Sequence, residues 1–480
     1  MNNQELLSLL RPFTQSSTNL TCLEIKGVTS NLQDANDKDL VFYRLSERVD
    51  AEELLKKRLQ GKTFGMLLLN RIPNFLEKTE NIISILDEKF LAVQKSILDV
   101  LYPLERQKFK IVGITGTNGK TTSVCLAMQI STLLGHPAIS VGTLGVCSDN
   151  KIWQGDIHGT TPSYIELRKI FHQHQNIYHA FFVEVSSHAL EQERLYDLQL
   201  DFAGWTSFSQ DHLDYHHNME QYFQSKTKVI TKFLAPESSI IVPAEEKELF
   251  KNIEAFFQRY KRTHSLDVHL QKTKSISERG YHDLPLFFQS GFNRNNLELA
   301  LDLNEKIWGS LPAIPLEQIA PPRGRFSIVP IAEGRKLVVI DYAHTPDALE
   351  NICKAILRDF PGRVFTVVFG CGGDRDRSKR APMGSIAAKY ADKLIVTSDN
   401  PRSEDPDKII ADILAGIEGK NIFKITDRQK AILNALKSME DNGILLIAGK
   451  GHEDYQEIKG MKYPYSDFAV VDSFNKEIKK

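Results

Sequence analysis

Two patterns of apolar and polar positions alternate along most of this chain. Short, uninterrupted apolar runs rich in β-branched residues are typical of strands buried in a parallel sheet, and the amphipathic stretches between them are typical of helices. The strand-like runs lie at 111–114, 180–185, 239–242, 336–341, 363–369, 393–397 and 443–448. This alternation predicts an α/β fold with mostly parallel, doubly wound sheets, whose ligands bind at the carboxyl ends of the strands.

The same pattern suggests three domains. Residues 1–107 mix short apolar runs at 40–42 and 66–69 with helix-like segments, which predicts a small α/β domain. The step Pro321-Pro322-Arg323-Gly324 is typical of a linker, because successive prolines interrupt helix and sheet alike. A chain of 480 residues has room for about three domains. We therefore expect domains at 1–107, 108–322 and 323–480, the second P-loop-like and the third Rossmann-like.

Composition excludes several classes of protein. The net charge is −1, from 60 basic and 61 acidic residues, so no global field favours nucleic acid or an anionic membrane. The five cysteines are odd in number and show no C-x-x-C spacing, which indicates a reducing compartment and argues against structural zinc. No apolar run approaches the roughly 18 residues of a membrane span. We expect a cytoplasmic protein, acting as a monomer and not inserted in a membrane.

The stretch KIVGITGTNGKTT at 110–122 predicts a strand, a phosphate-binding loop and a helix. Its glycines allow backbone N–H groups to converge on phosphate oxygens, Lys120 would neutralise them, and the Thr121 hydroxyl would coordinate Mg²⁺. Ile114 stands where the longer G-x-x-x-x-G-K-[ST] pattern has its first glycine, which leaves the shorter G-x-x-G-K-T form. The alternative is a glycine-rich turn without a ligand.

Two further polar clusters follow in the second predicted domain. Glu184 ends an apolar strand and precedes Ser186-Ser187-His188, a position that suits a Mg²⁺ ligand beside a phosphate loop. A carboxylate that caps or pairs at a loop is the alternative. The stretch QDHLDYHH at 210–217 is rich in Asp and His, but it has no cysteine and no regular His spacing for zinc. A solvated polar turn with one histidine near phosphates is the simpler interpretation.

Four polar clusters directly follow the four strands of the third predicted domain: DYAHTPD, GCGGDRDR, SDNPR and GKGHEDYQ. Carboxyl ends of parallel strands meet at one edge of a sheet, so a site is expected there. Arg375, Arg377 and Arg402 lie just beyond strand ends in loops shaped by Gly or Pro. Such arginines suit a bidentate grip on a carboxylate or phosphate, although a run of basic residues is more often a solvated face.

Taken together, these motifs resemble those of the Mur ligase family, ATP-dependent enzymes that form amide bonds in peptidoglycan precursor synthesis. The resemblance is to the members that add the third peptide residue. The matching motifs are GTNGKTT (116–122), TTPS (160–163), EVSSHAL (184–190), DHLDYH (211–216), DYAHTPDAL (341–349), GCGGDRD (370–376), DNPR (399–402) and GKGHEDYQ (449–456). They occur in the family's order and cover the chain from about 110 onward.

The resemblance implies roles for individual residues around ATP and Mg²⁺. ATP would be held by Gly116, Thr117, Asn118, Gly119, Lys120, Thr121 and Thr122, by Asn293 and Asn296 near the adenine, and by Arg325 and Asp341. Thr121 and Glu184 would bind Mg²⁺, with His212 at the metal-phosphate site. Lys226 corresponds to the lysine that the family carbamylates, which would make it a further metal ligand. The helical pattern by itself places Lys226 on a surface.

The resemblance also implies the other substrates. The UDP-N-acetylmuramoyl-dipeptide would contact Thr160, Thr161, Ser186, Gln192 and Arg194, with Ser30 at the uridine end. Asn31 stands where the family usually has an arginine after that serine. The incoming amino acid would contact Arg375, Asp399, Asn400, Pro401, Arg402, Gly449 and Glu453.

Arg402 decides the expected amino acid. Meso-diaminopimelate carries a distal carboxylate that L-lysine lacks, and a guanidinium fork matches a carboxylate but would be unpaired beside lysine's ammonium. We therefore expect meso-diaminopimelate, with Glu453 at its distal ammonium. L-Lysine and a folylpolyglutamate synthetase-like reaction remain the alternatives, as do a P-loop switch without ligase activity and a purely structural α/β protein.

Overall fold

The computed structural model describes residues 1, 3–17, 24–47, 49–148, 151–154, 159–418 and 421–478. Three large sheets follow one another along the chain, each covered by helices, and parallel pairing dominates all three. The α/β class is therefore confirmed. Each predicted domain contains one sheet, while the boundaries at 107/108 and 322/323 stay predictions. No helix in these ranges combines the length and the apolar composition needed to cross a bilayer.

The first sheet has five strands in the order β1-β5-β4-β3-β2, and only β1 runs antiparallel to its neighbour. Its elements are α1 (Asn3–Leu10), β1 (Thr14–Ser17), β2 (Gly27–Thr29), β3 (Asp39–Tyr43), α2 (Ala51–Leu59), β4 (Met66–Leu69), β5 (Ile82–Ile85) and α3 (Phe90–Leu101).

The second sheet has eight strands in the order β13-β12-β11-β6-β10-β7-β8-β9. Its strands are β6 (Lys110–Thr115), β7 (Ala138–Gly142), β8 (Gly145–Ser148), β9 (Lys151–Gln154), β10 (Ala180–Glu184), β11 (Phe202–Trp205), β12 (Ser238–Val242) and β13 (Val268–Lys272). Its helices are α4 (Lys120–Leu133), α5 (Tyr164–His174), α6 (Ser187–Glu191), α7 (Leu213–His216), α8 (Met219–Lys228), α9 (Lys247–Tyr260), α10 (Leu286–Gln289) and α11 (Gly291–Trp308).

The third sheet has six strands in the order β14-β15-β19-β16-β17-β18, and β20 and β21 form a separate hairpin. Its strands are β14 (Ser327–Ile331), β15 (Lys336–Asp341), β16 (Val364–Phe369), β17 (Lys393–Val396), β18 (Ile422–Lys424) and β19 (Gly443–Ala448). Its helices are α12 (Pro346–Asp359), α13 (Arg380–Tyr390), α14 (Pro406–Leu414), α15 (Arg428–Lys437) and α16 (Asp467–Ile478). The hairpin consists of β20 (Tyr455–Ile458) and β21 (Met461–Pro464).

Strand register brings the predicted polar residues together at two sheet edges. In the second sheet, Glu184 of β10 is paired with Ile114 of β6, so its carboxylate lies next to the start of the phosphate loop. In the third sheet, Ala448 at the end of β19 is paired with Asp341 of β15 and Phe369 of β16. The four polar clusters predicted to share an edge therefore do so.

The apolar interior is continuous between the sheets. One buried cluster runs from the second sheet and α4 into the helices that cover the third sheet, and includes Val112, Leu299 and Ile352. Another joins the first sheet to the opposite face of the second, and includes Ile97 and Phe181. Buried apolar surface is the main favourable term in packing, so these clusters hold the two sheet edges in place around the site.

Candidate active site

The predicted phosphate loop has the geometry of a strand-to-helix anion site. Gly116 and Gly119 have φ of 145° and 88°, values that side chains disfavour, and α4 begins at Lys120. A Cβ on Gly116 would lie 1.9 Å from Oγ1 of Thr206. The Ser207 hydroxyl accepts a hydrogen bond from the N–H of Asn118 at 3.0 Å, which fixes the other side of the loop. The N–H of Thr117 also donates to the carbonyl of Ser207 at 3.0 Å, so the backbone donors left for an anion are those at the N-terminus of α4.

Two lysines meet behind this loop. The carbonyl oxygen of Gly116 accepts hydrogen bonds from Nζ of Lys120 at 2.8 Å and from Nζ of Lys226 at 2.9 Å. The surface position that the helical pattern predicts for Lys226 is wrong, because its side chain is only 1% exposed. Burial, reinforced by the charge of Lys120, holds the pKa of Lys226 well below its usual range.

Tyr222 fixes Lys226 from the same helix, α8. Its ring centroid lies 4.7 Å from Nζ of Lys226, and its hydroxyl lies 3.2 Å from Oγ1 of Thr117 in the phosphate loop. The residues are four apart, which places both side chains on one face of the helix. Sequence reasoning missed Tyr222, although this spacing from Lys226 was visible.

Glu184 is buried at the carboxyl end of β10 with its oxygens held by two threonines. Oε2 accepts hydrogen bonds from the hydroxyls of Thr121 at 3.1 Å and Thr143 at 3.2 Å, and Oε1 accepts one from the N–H of Thr143 at 2.8 Å. Burial raises the pKa of Glu184. A Cβ on Gly142 would lie 2.2 Å from Oε1, so that position must stay free of a side chain. Thr143, just beyond the end of β7, was missed from the sequence.

His212 lies at the rim of this centre. Its side chain is 45% exposed, and its Nε2 lies 3.3 Å from Oδ2 of Asp211. Asp211 also interacts electrostatically with Lys120 and Lys226, which places it beside the loop. Within the described residues, no group of three or more His, Cys, Asp or Glu is arranged to hold a metal ion by itself. A role for His212 stays a prediction.

The two asparagines predicted to lie near the adenine, Asn293 and Asn296, are both on α11. Asn293 is buried and donates from Nδ2 to the carbonyl of Phe287 at 3.2 Å, while its Oδ1 has no hydrogen-bond partner in the described structure. Oδ1 of Asn296 accepts a hydrogen bond from Ser123 on α4 at 3.1 Å. Asn296 therefore links α11 to α4, the helix that follows the phosphate loop, whereas Asn293 is held by α10.

Arg325 and Asp341 approach from the third sheet. The Arg325 guanidinium lies 5.0 Å from the ring centroid of Tyr342, and its buried Nε has no hydrogen-bond partner among the described residues. The Asp341 oxygens accept from the N–H groups of Phe326 and Ala343, both at 2.7 Å, and burial raises its pKa. An unpaired buried guanidinium nitrogen and a buried acid are the donor and acceptor that a nucleotide could use.

The residues predicted to hold the dipeptide form one hydrogen-bonded network. Thr161 Oγ1 accepts from the N–H of Ser186 at 3.0 Å and donates to the carbonyl of Glu184 at 2.7 Å. The Arg194 guanidinium donates to the carbonyl of Thr161 and, at 2.8 and 3.0 Å, to Oε1 of Gln192. This network reaches Glu184 through its backbone carbonyl.

The other two residues predicted to hold the UDP-linked dipeptide, Thr160 and Ser30, contact residues outside this network. Oγ1 of Thr160 lies 3.5 Å from Oγ1 of Thr143, a long contact at the edge of hydrogen-bond range. Ser30 of the first sheet donates to Oγ of Ser163 at 3.2 Å, and Ser163 caps α5 in a capping box with Glu166. The TTPS motif thus has a structural reason for its last serine, and Ser30 lies next to it.

The residues predicted to hold the amino acid lie beyond the ends of β16, β17 and β19. Asn400 donates to Oε2 of Glu453 at 2.8 Å, and Arg402 donates to Oε2 of Glu457 at 3.1 Å and to the carbonyl of Gly373 at 2.8 Å. Arg402 has a φ of 51°, a strained value for a residue with a side chain. Asp399 and Pro401 are buried, and Arg375 is exposed. The N–H of Gly449 donates to the carbonyl of Asp341 at 3.1 Å.

A cleft of about 2400 Å³ runs from the phosphate loop to the third sheet. Of the residues predicted to hold the dipeptide and the amino acid, Thr160 and Glu453 line it, whereas Arg194, Asn400 and Arg402 do not. Lys120, Glu184, Asn293, Arg325 and Glu453 all line it, so the phosphate loop of the second sheet faces the polar edge of the third. A phosphate loop with a lysine, a buried carboxylate beside it and a second sheet opposite define a P-loop nucleotide-dependent enzyme of the α/β class.

Comparison with known proteins narrows that class. Residues 114–299 match the Mur ligase middle domain, and residues 324–451 match the Mur ligase glutamate ligase domain. A UDP-N-acetylmuramoyl-L-alanyl-D-glutamate--2,6-diaminopimelate ligase of Rickettsia conorii is 33% identical and covers 93% of this chain and 95% of its own. The enzyme of that name from Aquifex aeolicus is 34% identical, with 93% of each chain covered. The chain belongs to the Mur ligase family.

Solved structures agree with this assignment. A structure with that same ligase name is 26% identical, covers 95% of this chain and 96% of its own, and has a TM-score of 0.59. Folylpolyglutamate synthase from Thermotoga maritima, at 16% identity and a TM-score of 0.54, covers 74% of this chain and 89% of its own. At that identity the likeness concerns the fold alone.

Proposed function

We propose that this chain is the ATP-dependent ligase that adds meso-diaminopimelate to UDP-N-acetylmuramoyl-L-alanyl-D-glutamate through an acyl phosphate. The observation that carries the proposal is the cleft in which Lys120 and Glu184 face Arg325 and Glu453 across the two sheets. The names of the Rickettsia and Aquifex relatives support the same reaction. We further propose a cytoplasmic monomer.

The residues present fit ATP and a divalent cation, for which we propose Mg²⁺. The unpartnered Nε of Arg325 and Oδ1 of Asn293 are buried polar atoms in the cleft, and such atoms are rarely left without a partner. The hydroxyl of Thr121 and the carboxylate of Glu184 are oxygen ligands of the kind Mg²⁺ prefers, and Mg²⁺ would neutralise charge that develops on the transferred phosphoryl group. A MurF ligase of Thermotoga maritima solved with ADP shares the fold.

The first step activates the D-glutamate carboxylate. In our proposal this carboxylate attacks the γ-phosphorus of ATP, an O–P bond forms, the bond to ADP breaks, and ADP leaves. Lys120 and the backbone donors at the N-terminus of α4 stabilise the negative charge that spreads over the phosphoryl oxygens. The network of Thr161, Ser186 and Arg194 would hold the dipeptide close to the loop, and that positioning supplies much of the rate.

The second step forms the amide. The amino group of diaminopimelate attacks the acyl carbon, a tetrahedral intermediate forms, and phosphate leaves as the C–O bond breaks. Positioning of the amine is the task we assign to the edge of the third sheet, with Glu453 at the distal ammonium and Arg402 at the distal carboxylate. Asp399, Asn400, Pro401, Arg375 and Gly449 would complete that part of the site.

We propose that Lys226 is carbamylated. Its depressed pKa favours the neutral amine, whose nitrogen lone pair forms an N–C bond with CO₂ while one C=O electron pair moves onto oxygen and a proton is lost to solvent. The product would place an anion beside Lys120 where the neutral amine stood. That adds an attraction to the Lys120 ammonium and creates oxygen atoms that could serve as metal ligands.

Phosphate release tests the proposal against its rivals. With ATP and Mg²⁺, we expect release to require both the UDP-linked dipeptide and meso-diaminopimelate. Release that ignores both acceptors would instead favour a nucleotide switch, and release driven by a folate and glutamate would favour the folylpolyglutamate reaction. A protein that binds no ATP would overturn the proposal altogether.

A further inference from the structure

Lys450 is a buried lysine in the middle of the proposed amino-acid site. It lies between Gly449 and Gly451, directly after β19, and its side chain is fully buried. Its Nζ donates to Oδ1 of Asn400 at 2.8 Å and to the carbonyl of Tyr455 at 2.8 Å. It also lies 3.3 Å from carboxylate oxygens of both Asp399 and Glu453.

These partners come from two different loops. Asp399 and Asn400 belong to the loop after β17, whereas Glu453 and Tyr455 belong to the segment after β19. The Asn400 amide completes the connection, because it donates to Glu453 at 2.8 Å and accepts from the N–H of Glu457 at 2.9 Å. One ammonium group thus ties together the two segments that would meet the amino acid.

The hydrogen bonds from Asn400 and Lys450 leave one carboxylate oxygen of Glu453 available to a ligand. Oε2 is held by Asn400 and Lys450, while Oε1 has no hydrogen bond within the described part of the chain. Without the ammonium, Asp399 and Glu453 would be two largely buried carboxylates facing each other, and one of them would favour its protonated form. Burial and the charge of Asp399 already raise the pKa of Glu453.

We propose that Lys450 is a positioning residue for the incoming diamino acid. It holds Glu453 so that Oε1 can accept the distal ammonium, and it holds Asn400, and with it the neighbouring Arg402, where the distal carboxylate would bind. This inference rests on the proposed function. It predicts that Lys450 governs affinity for a ligand that carries an ammonium and a carboxylate on one carbon, with little effect on ATP.

The test compares K450M, K450R and the control K437M in the full-length enzyme, with KM measured separately for diaminopimelate, ATP and the UDP-linked dipeptide. Lys437 is an exposed lysine at the end of α15. We expect K450M to raise KM for diaminopimelate at least about tenfold, the loss typical of one charge-assisted hydrogen bond. KM for ATP should stay within about twofold, and preference over L-lysine should fall. K450R, which keeps the charge, should lie between wild type and K450M.

The outcomes separate the inference from the function on which it rests. A wild type that does not turn over diaminopimelate overturns the proposed function, and this inference with it. A wild type that does, together with a K450M whose KM for diaminopimelate is unchanged or rises in parallel with KM for ATP, overturns the inference alone. If K450M fails to fold in a thermal melt, K450Q decides in its place, since an unchanged KM for diaminopimelate in a variant without the ammonium group is incompatible with the positioning role.

Discussion

Lys120 and Lys226 donate hydrogen bonds to the same acceptor, the carbonyl oxygen of Gly116, at 2.8 and 2.9 Å. Like charges that share one buried acceptor repel each other. Burial lowers the pKa of both lysines, and the charge of Lys120 helps to hold the pKa of Lys226 well below its usual range. The pair therefore joins the phosphate site to a lysine that can carry a modification.

Lys226 is the first residue to test. We expect protein equilibrated with ¹³C-labelled bicarbonate to show a carbamate resonance in the wild type that disappears in K226Q, because Gln has no amine to react with CO₂. The exposed Lys251 offers a matched control, and K251Q should keep the resonance. A signal that persists unchanged in K226Q would assign the modification elsewhere.

Glu184 tests the proposed metal site. In E184Q the side chain keeps its shape but loses its charge. Gln has a single oxygen that can accept the hydrogen bonds from Thr121 and Thr143. We expect the Mg²⁺ concentration for half-maximal activity to rise about tenfold to a hundredfold, the range for loss of one charged interaction. E248Q removes an exposed carboxylate and serves as control. An unchanged Mg²⁺ requirement in E184Q would exclude Glu184 as a ligand.

Arg402 tests amino-acid selectivity. We expect R402A to raise KM for meso-diaminopimelate by about tenfold or more, since a bidentate contact to the distal carboxylate would be lost. The ratio of kcat/KM for diaminopimelate to that for L-lysine should fall towards one. R335A, which removes an exposed arginine paired with Asp441, is the control. A selectivity ratio that survives in R402A would place recognition of the carboxylate on another residue.

Glu404 supplies a pH-dependent prediction. Its carboxylate accepts hydrogen bonds from Arg380 at 2.8 and 3.1 Å, and these lower its pKa from the ordinary 4.5 to about 2. Because folding lowers the pKa of Glu404, its carboxylate stabilises the folded state fully above pH 4.5, and this contribution is lost as the pH falls towards 2. We expect urea unfolding to show E404Q less stable than wild type by about 1.5–3 kcal/mol at pH 7, with a smaller gap at pH 3.

The control for that experiment is E248Q, an exposed change that should stay within about 0.5 kcal/mol of wild type at both pH values. A gap between E404Q and wild type that is the same at pH 7 and pH 3 would show that the ion pair with Arg380 does not titrate as described.

The sequence predicted those parts of the site that depend on local pattern. Glu184 and the clusters after β15, β16, β17 and β19 were found because they follow buried strands, and parallel strands present their ends on one edge. The missed or misplaced residues depend on contacts between distant segments. Lys226 was placed on a surface because helical periodicity cannot show that Tyr222 and the loop at Gly116 cover it. Lys450 was missed because its four partners meet only after the sheet has formed.

Among the strands, too, those with a clear local sequence pattern were predicted and those that depend on distant neighbours were not. The seven predicted runs are present to within about a residue, whereas β7, the antiparallel strands β8 and β9, and the hairpin of β20 and β21 were not predicted. Those segments are short and partly polar, so their pairing is determined by neighbours rather than by periodicity. The hairpin matters for the site, since the backbone of Arg402 is paired with it.

The most direct test of this account is the amino acid that drives ADP release in the presence of ATP, Mg²⁺ and the UDP-linked dipeptide. The cleft, the phosphate loop and the arginine fork of Arg402 predict release with meso-diaminopimelate at a kcat/KM at least about tenfold above that with L-lysine, the margin expected for one charge-assisted contact. Equal release with both amino acids, or release with neither, would contradict it.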